Sequence, residues 1–138
     1  MREEQKEQTK QIVVAGALIV DGAVLVAQRD RPAELAGQWE LPGGKVGPGE
    51  SEPAALAREL AEELDIEVRV GSRLGQDVAL SDTTTLRAYL VTQICGRVAR
   101  ANDHRALRWV AAAELDMLDW VRADRTWLPE LTRALVHR

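Results

Sequence analysis

Three glutamates at helical spacing, Glu59, Glu62 and Glu63, are the residues of this chain whose types and positions could do chemistry. Positions i, i+3 and i+4 of a helix lie close together on its surface, so the three carboxylates can converge on one small volume. Taken alone they have a simpler explanation, because charge runs on helices usually face water. If they do converge, carboxylates and backbone carbonyl oxygens are hard ligands that suit Mg²⁺ or Mn²⁺ rather than Zn²⁺.

The sequence around the glutamates predicts the helix that would present them. Ser51 is the expected N-cap, Pro53 suits a first helical turn, and residues 54–64 contain no Gly and no β-branched residue. Leucines recur every four residues on the other face, at Leu56, Leu60 and Leu64. The preceding segment 41–44, Leu-Pro-Gly-Gly, supplies a flexible backbone whose amides and carbonyls could approach a ligand closely. We therefore expect one packed face and one carboxylate face.

Six residues of this region, taken in register, resemble the signature of the Nudix hydrolase family. Its pattern is G-x5-E-x7-R-E-U-x-E-E-x-G-U, with U aliphatic, and the chain matches it with Gly44, Glu50, Arg58, Glu59, Glu62, Glu63 and a final Ile66. Chance would place six fixed residues in register on the order of once in 10⁷ trials. The one departure is Asp65, where the family usually has Gly. Because Asp tolerates the left-handed conformation, we expect a modest stability cost and no loss of chemistry.

The resemblance implies a role for each matched residue and a fold for the chain. The implied metal ligands are Glu59, Glu62, Glu63 and the backbone carbonyl of Gly43. The implied cofactor is Mg²⁺, with Mn²⁺ as a substitute. Glu50 and Arg58 match architectural positions, where Arg58 pairs with neighbouring carboxylates and holds the ligands in place. The implied fold class is α/β, as an α/β/α sandwich with a mixed β-sheet between helices.

Two further positions resemble the MutT-like branch of the family, and this similarity covers nearly the whole chain. Arg29 stands fifteen residues before Gly44, where that branch carries a phosphate-contacting arginine; an exposed loop arginine is the alternative. Asp103 stands six residues before Trp109, where the branch often has a Glu that holds a further metal or activates water. A simple turn residue is the alternative interpretation of Asp103.

The substrate class follows from longer similar segments. Residues 24–29, 35–45 and 83–89 are similar to a mycobacterial and actinobacterial MutT paralogue that resembles CTP pyrophosphohydrolases and oxidised-guanine triphosphatases. From these segments we expect substrate contacts at Arg29, Gly43, Gly44, Lys45 and Arg87. The expected substrates are CTP and dCTP, including 5-methylated forms, and 8-oxo-dGTP, in nucleotide-pool sanitisation.

Base recognition is expected in the C-terminal part, which holds Asp116, Asp119, Trp120, Asp124 and Trp127. An aspartate that faces the pocket could accept a hydrogen bond from the amino group of cytosine, and a tryptophan could stack on the base. We assign these roles to Asp116 and Trp120. The alternative is that the tryptophans are core residues.

The implied reaction is hydrolysis of a nucleoside triphosphate to the monophosphate and pyrophosphate, with water attacking the β-phosphorus. Mg²⁺ would bridge the triphosphate and the glutamates, neutralise charge and help to generate hydroxide. Glu59, Glu62 or Asp103 could accept the proton, and the choice depends on geometry that the sequence does not fix.

Two other functions remain open at this point. Branches that hydrolyse ADP-ribose or dinucleoside polyphosphates tend to carry a Pro or a Tyr about fifteen residues past the signature; residues 79–83, Ala-Leu-Ser-Asp-Thr, contain neither. A non-catalytic Nudix module that binds a nucleotide is the third hypothesis. Such modules often lose signature carboxylates, and all three are present here.

Composition limits the class of protein and its partners. With 46% hydrophobic and 29% charged residues and no apolar run long enough for a bilayer, the chain predicts a globular protein without a membrane partner. A net charge of −4 and a pI near 5.3 argue against binding of a nucleic acid polymer. We expect a disordered N-terminus over residues 1–10, a single domain over residues 11–138, and a cytoplasmic location. The oligomeric state cannot be read from these features.

The remaining pattern predicts strands around isolated helices. An apolar hairpin is expected from strands 11–20 and 23–27 across the tight-turn pair Asp21-Gly22. The other expected strands are 38–41, 45–46, 66–70, 76–80, 84–94 and 107–110, and the expected short helices are 111–115 and 127–136. Gly71 and Gly75 are expected to interrupt the chain between the strands at 66–70 and 76–80.

Overall fold

A mixed seven-stranded β-sheet with helices on both sides forms the fold in the computed structural model, which describes residues 10–96 and 106–136. The strands are β1 (Gln11–Val20), β2 (Ala23–Gln28), β3 (Trp39–Glu40), β4 (Gly43–Lys45), β5 (Ile66–Ala79), β6 (Thr84–Gly96) and β7 (Ala106–Ala111). The helices are α1 (Glu52–Leu64), a 3₁₀ helix (Ala112–Met117), α2 (Arg122–Arg125) and α3 (Leu128–Val136). Apart from Lys10, the predicted disordered N-terminus lies outside the described residues.

Strand order places β1 and β2 at the centre of the sheet. The strands follow the order β3-β2-β1-β6-β5, while β4 also pairs with β1 and β7 with β2. The β1–β6 pair is parallel, with Val14 opposite Arg87, and the other pairs are antiparallel. The predicted β1–β2 hairpin is confirmed: Asp21 and Gly22 both have positive φ, at 51° and 80°, as a tight two-residue turn requires.

Helix α1 begins and ends where the sequence predicts. The Ser51 hydroxyl accepts a hydrogen bond from the amide of Ala54 at 3.2 Å, and a proline occupies the first turn. Asp65 ends the helix in the left-handed conformation, at φ 60° and ψ 41°, and its amide donates to the carbonyl of Ala61. The predicted leucine face is buried. Local signals alone therefore define the element that carries the glutamates.

We expect Asp65→Gly to raise stability by about 0.5–1 kcal/mol, because Gly adopts a left-handed cap without the steric cost that a side chain incurs. In a domain of this size that gain corresponds to a Tm increase of about 2–4 °C. Thermal unfolding followed by circular dichroism measures it. Activity should stay unchanged because Asp65 is exposed and outside the carboxylate set. A lower Tm in the Gly variant would show that the Asp side chain stabilises the cap.

Two helical layers cover the sheet, which confirms the predicted α/β/α sandwich. On one side α1 packs its leucines against Val14 and Leu18 of β1. On the other side the C-terminal segment packs Trp127, between α2 and α3, and Leu131 of α3 against Leu86 and Ala88 of β6. Among the described helices, none is both long and apolar enough to cross a membrane.

Strand β5 differs from the prediction of two separate strands. It runs from Ile66 to Ala79 along β6, and its register shifts between Val70 and Arg73 and between Leu74 and Val78. Gly75, at φ 66°, lies in the second irregular stretch. The glycines therefore mark bulges within one strand, because pairing along β6 outweighs the local break that glycine favours. Helix α2 is not among the predicted elements, and the helix predicted at 111–115 is a 3₁₀ helix.

Candidate active site

The carboxylate of Glu59 lies directly on the backbone of β4. A Cβ atom built on Gly44 would lie 2.2 Å from Cδ of Glu59 and 2.4 Å from its Oε1, so any larger residue would displace the Glu59 carboxylate. Gly43 is restricted by a different neighbour, since its Cβ would lie 1.9 Å from the carbonyl oxygen of Val14. Strand β4 thus lies tightly between β1 and the Glu59 carboxylate, and the two glycines make this approach sterically feasible.

Arg58 links β4 and the loop before α1 to two signature glutamates of that helix. Its guanidinium donates to Glu50 at 2.7 Å and 2.9 Å and to the carbonyl of Lys45 at 3.1 Å. The Nη1 atom reaches Glu59 at 3.2 Å and Glu62 at 3.3 Å. One side chain therefore ties α1 to β4 and to the loop before the helix, a geometry that suits the supporting roles expected of Glu50 and Arg58.

The Glu50 carboxylate is held in its charged form. The hydrogen bonds from Arg58, and then the amide of Gly47 at 2.7 Å, lower the pKa of Glu50 to about 2. The same pairing raises the pKa of Arg58 above its already high ordinary value. Both groups stay ionised across the range in which an enzyme works, so the support is independent of pH there.

The three signature glutamates of α1 differ in environment. Glu62 is 61% exposed, Glu59 is 18% exposed, and Glu63 is buried at 8%. Within residues 10–96 and 106–136, no three Asp, Glu, His or Cys side chains form a group that could already enclose a metal ion. Arg58 lies between Glu59 and Glu62 and partly balances their charge. The oxygen-only donor set fits a hard divalent cation, and the exposed Glu62 can turn toward one at little cost.

A cavity of about 370 Å³ begins at β4 and runs under the C-terminal part of the chain; we call it the β4 cavity. Gly43, Gly44 and Lys45 line one end, and its wall is largely apolar. At the other end it reaches Asp124. A second, more open cavity of about 550 Å³ shares four wall residues with it, namely Leu35, Leu80, Val121 and Ala123. The two together form one groove of the size that small-molecule ligands occupy.

Arg29 also lines the β4 cavity, paired with Glu40. Its Nη1 lies 3.2 Å from Oε1 and 3.3 Å from Oε2 of that carboxylate, and its Nε donates to the carbonyl of Arg31. The side chain is 32% exposed, so it is not the fully exposed loop arginine of the alternative interpretation. Of the expected substrate contacts, the structure therefore brings Arg29, Gly43, Gly44 and Lys45 together.

The other three expected substrate contacts lie elsewhere. Trp120 is a core residue, 2% exposed, whose indole N–H donates to the carbonyl of Leu115 at 2.7 Å. Asp116 is exposed on the 3₁₀ helix and does not line the β4 cavity. Arg87 follows Leu86 on β6, and Leu86 lines the cavity. Because side chains alternate between the two faces of a strand, Arg87 points toward α1, where it pairs with Glu52. Asp103 lies outside the described residues.

Asp124 of α2 takes the position in the cavity that we had expected of Asp116. It is 3% exposed, and its Oδ2 accepts a hydrogen bond from the amide of Leu41 at 2.8 Å. Burial, only partly offset by that hydrogen bond, raises the pKa of Asp124 to about 8. The carboxyl group is therefore mostly protonated at neutral pH, and it can both donate and accept a hydrogen bond.

The sequence contains a signal for Asp124, although it was not selected among the five C-terminal candidates. It lies three residues after Val121 and three and four residues before Trp127 and Leu128. That spacing puts a carboxyl group on the apolar face of a helical segment. A titratable residue on such a face is either paired or functional, because its burial is costly.

The fold and the site define a class of protein: a hydrolase of acid anhydrides in phosphorus-containing compounds, with a carboxylate helix set against a Gly-Gly strand. The model of the NUDIX domain matches residues 10–131, and the chain belongs to the Nudix family, in its MutT-like branch. The resemblance read from the signature is thus confirmed. Enzymes of this family generally use divalent metal ions.

Individual relatives agree with this assignment. The chain is 64% identical over 128 residues to "Putative 8-oxo-dGTP diphosphatase 2" of Mycobacterium tuberculosis, covering 91% of this chain and 90% of that protein. It is 42% identical over 104 residues to the CTP pyrophosphohydrolase of Escherichia coli, covering 74% and 76%. The crystal structure of a MutT NUDIX hydrolase from Burkholderia pseudomallei superposes with a TM-score of 0.74 at 33% identity, covering 90% and 98%.

Proposed function

We propose that the protein is a Mg²⁺-dependent nucleoside triphosphate pyrophosphohydrolase that acts on CTP, dCTP and its 5-methylated form, on 8-oxo-dGTP, or on both groups. The observation that carries this proposal is the β4 cavity, which joins the Gly-Gly strand beside Glu59 to the buried carboxyl of Asp124. One end is suited to phosphates and the other to a base. The names of the relatives from M. tuberculosis and E. coli support the same two groups of substrates.

At the phosphate end, the chain binds and orients the triphosphate. Lys45 is exposed at the entrance, and Arg29 lies beside Glu40, so both cations can approach phosphate oxygens. Glu59, Glu62, Glu63 and the carbonyl of Gly43 would hold Mg²⁺, and Asp103 is a further candidate ligand. When bound, Mg²⁺ supplies charge neutralisation of the triphosphate and a lowered pKa for water.

The proposed reaction breaks a bond between the α- and β-phosphates. Water attacks the β-phosphorus, the nucleoside monophosphate leaves, and pyrophosphate is the second product. A carboxylate must accept the proton of the attacking water, and Glu59, Glu62 and Asp103 are the candidates. Arg58 keeps Glu59 and Glu62 in place from the side of the helix through its two contacts at 3.2 Å and 3.3 Å.

At the base end, the protonated Asp124 offers an O–H donor beside a C=O acceptor. Cytosine presents an amino donor next to a ring-nitrogen acceptor, and oxidised guanine likewise presents donors beside acceptors. An ionised carboxylate could only accept, so the raised pKa widens the set of bases that Asp124 can bind. The apolar wall of the cavity would pack against the ring.

A substrate panel tests the proposal. Pyrophosphate release with Mg²⁺ is measured for CTP, dCTP, 5-methyl-dCTP, 8-oxo-dGTP, the unmodified purine triphosphates and ADP-ribose. We expect the highest kcat/KM for the cytidine or oxidised guanine triphosphates. Activity confined to ADP-ribose or dinucleoside polyphosphates, or nucleotide binding without turnover, would overturn the proposed function and leave the fold assignment intact.

The raised pKa of Asp124 predicts that both the stability of the protein and its KM depend on pH. Its folded pKa of about 8 lies above the ordinary value of 3.8, so the folded state binds the proton more tightly than the unfolded chain does. Its contribution to stability is therefore fully present below pH 3.8 and is lost as pH rises through 8. Above pH 8 the donor is also lost, and KM for the preferred triphosphate should rise.

We expect Asp124→Asn to abolish both effects, because the amide cannot ionise and keeps a donor and an acceptor. The variant should be more stable than the parent at pH 8 and above, and its KM should vary less with pH while its ranking of substrates changes. Thermal unfolding and KM measured from pH 6 to 9.5 give the two readouts. The matched control is Asp119→Asn, an exposed aspartate of the same segment. A parent KM that stays flat across this range would remove Asp124 from base recognition.

A further inference from the structure

The first residue of α1 is held by two side chains of the sheet. Oε1 of Glu52 accepts a hydrogen bond from the hydroxyl of Tyr89 at 2.5 Å, and its Oε2 accepts one from Nη1 of Arg87. Tyr89 is 9% exposed, and the Glu52 and Arg87 side chains are 21% and 29% exposed. These are directional contacts in a part-buried place, where a charge-assisted hydrogen bond is stronger than at the surface.

The contacts continue into β5 and close a ring of interactions. Nε of Arg87 donates to Asp77 at 3.1 Å, and Asp77 also binds Arg73. The guanidinium of Arg73 lies 5.7 Å from the ring centroid of Tyr89. Burial, then the hydrogen bond to Glu52, raises the pKa of Tyr89, which keeps its hydroxyl protonated as a donor. The N-terminus of α1 is thereby tied to two strands, β5 and β6.

The position of Glu52 on the helix relates this anchor to the chemistry. Glu52 and Glu59 are seven residues apart, which is about two turns, so they lie on nearly the same side of α1. The leucine contacts of α1 are apolar and non-directional, so they resist sliding or rotation of the helix less than a hydrogen bond does. The contact between Glu59 and Gly44 is close, since a methyl group on Gly44 would lie 2.2 Å from the carboxyl and displace it, so a small shift of α1 would change the position of that carboxylate.

We propose that Tyr89, Arg87 and Glu52 form a positioning network that fixes α1 along and around its axis and so places its carboxylates for the metal and the triphosphate. The inference rests on the proposed metal-binding role of α1. In this proposal Arg87 helps to position α1 by holding Glu52, in place of the contact with substrate expected from the sequence. None of the three residues touches the reacting atoms.

Tyr89→Phe tests the network, because it removes the hydroxyl and keeps the ring in the core and beside Arg73. Binding of Mn²⁺ alone, without nucleotide, is measured from the free-ion signal in electron paramagnetic resonance. We expect the Kd for Mn²⁺ to rise and kcat with Mg²⁺ to fall, each by about tenfold, as for other groups that support metal ligands. KM for the triphosphate should stay within about twofold, since the β4 cavity is unchanged.

A double-mutant cycle separates the network from a general loss of packing. If the hydroxyl acts through Glu52, Tyr89→Phe combined with Glu52→Gln should be no worse than the more severe single variant. The control Arg108→Gln, on β7, breaks a surface ion pair with Glu114 of the 3₁₀ helix and should leave Kd, kcat and KM unchanged. Tm, recorded for every variant, should stay within a few degrees of the parent.

The outcomes distinguish this inference from the proposed function. A parent chain that binds no Mn²⁺ and hydrolyses no triphosphate overturns both. If the parent binds Mn²⁺ and hydrolyses the triphosphate, and the Tyr89→Phe variant has the same Mn²⁺ affinity and kcat as the parent, only the network is overturned. Fully additive effects in the cycle, or a change in KM without one in kcat, would also overturn it, because the hydroxyl would then act independently of Glu52 or of the helix.

Discussion

Glu62→Gln should lower kcat for pyrophosphate release by about 10²–10⁴-fold, the range expected when a carboxylate that handles a proton or a metal is lost. The structure suits this test, because the Glu62 side chain is 61% exposed and its contact with Arg58 is a surface pair at 3.3 Å. Substitutions of exposed residues usually change stability by no more than about 0.5 kcal/mol. A large loss of activity at unchanged Tm would therefore report on chemistry alone.

The matched control for this variant is Glu67→Gln, which makes the same change at an exposed glutamate of β5. It should retain the parent kcat. Initial rates of pyrophosphate release at saturating triphosphate and Mg²⁺, with thermal unfolding of each protein, decide the comparison. A Glu62→Gln enzyme with kcat within about threefold of the parent would remove Glu62 from the catalytic machinery and leave Glu59 and Asp103 as candidate bases.

The second large effect is expected from Gly44→Ala. The new methyl group would lie 2.2 Å from Cδ of Glu59, and the end of that flexible side chain can move away. Stability should fall by only about 1 kcal/mol, at the low end of the cost of overpacking. Displacing a catalytic group by about 1 Å can cost on the order of 10²-fold in rate, and we expect a loss of kcat of that size.

Gly43→Ala is the informative partner of that variant. Its methyl group would lie 1.9 Å from the carbonyl oxygen of Val14, which belongs to the backbone of β1 and cannot turn aside. The expected loss is about 3 kcal/mol or more of stability, with a Tm about 10 °C lower. Gly44→Ala should therefore lose much kcat and little Tm, and Gly43→Ala should lose much Tm. Thermal unfolding and kcat of both variants measure the two losses. If the ratio of the loss in kcat to the fall in Tm were the same for both variants, the specific contact between Gly44 and Glu59 would be contradicted.

The sequence predicts those parts of the fold that depend on neighbours along the chain. Ser51, Pro53 and Asp65 define α1 because caps act within a few residues, and Asp21-Gly22 defines the hairpin for the same reason. The continuity of β5 could not be predicted, since Gly71 and Gly75 look like breaks until the strand is paired with β6. In that case long-range pairing decides between two local interpretations.

The residues of the candidate site also divide into those that local sequence predicts and those that depend on tertiary structure. The signature residues Glu50, Arg58 and Glu59 follow from fixed spacing on one helix and its preceding loop, and their contacts form as a local unit. Arg87 and Asp124 depend on tertiary structure instead. Which of Leu86 and Arg87 faces the cavity depends on a strand register, and the approach of Asp124 to Leu41 spans 83 residues of sequence.

If Glu59 and Glu62 hold the metal as we propose, the position of Arg58 between them makes metal loading an exchange of cations. The helix carries its own counter-ion on the residue before Glu59 and one turn before Glu62, so the two carboxylates are partly neutralised before any ion binds. An incoming ion gains only the difference between its own interaction and that of the resident guanidinium. On this proposal we expect the site to have modest affinity for its ion and to exchange it readily.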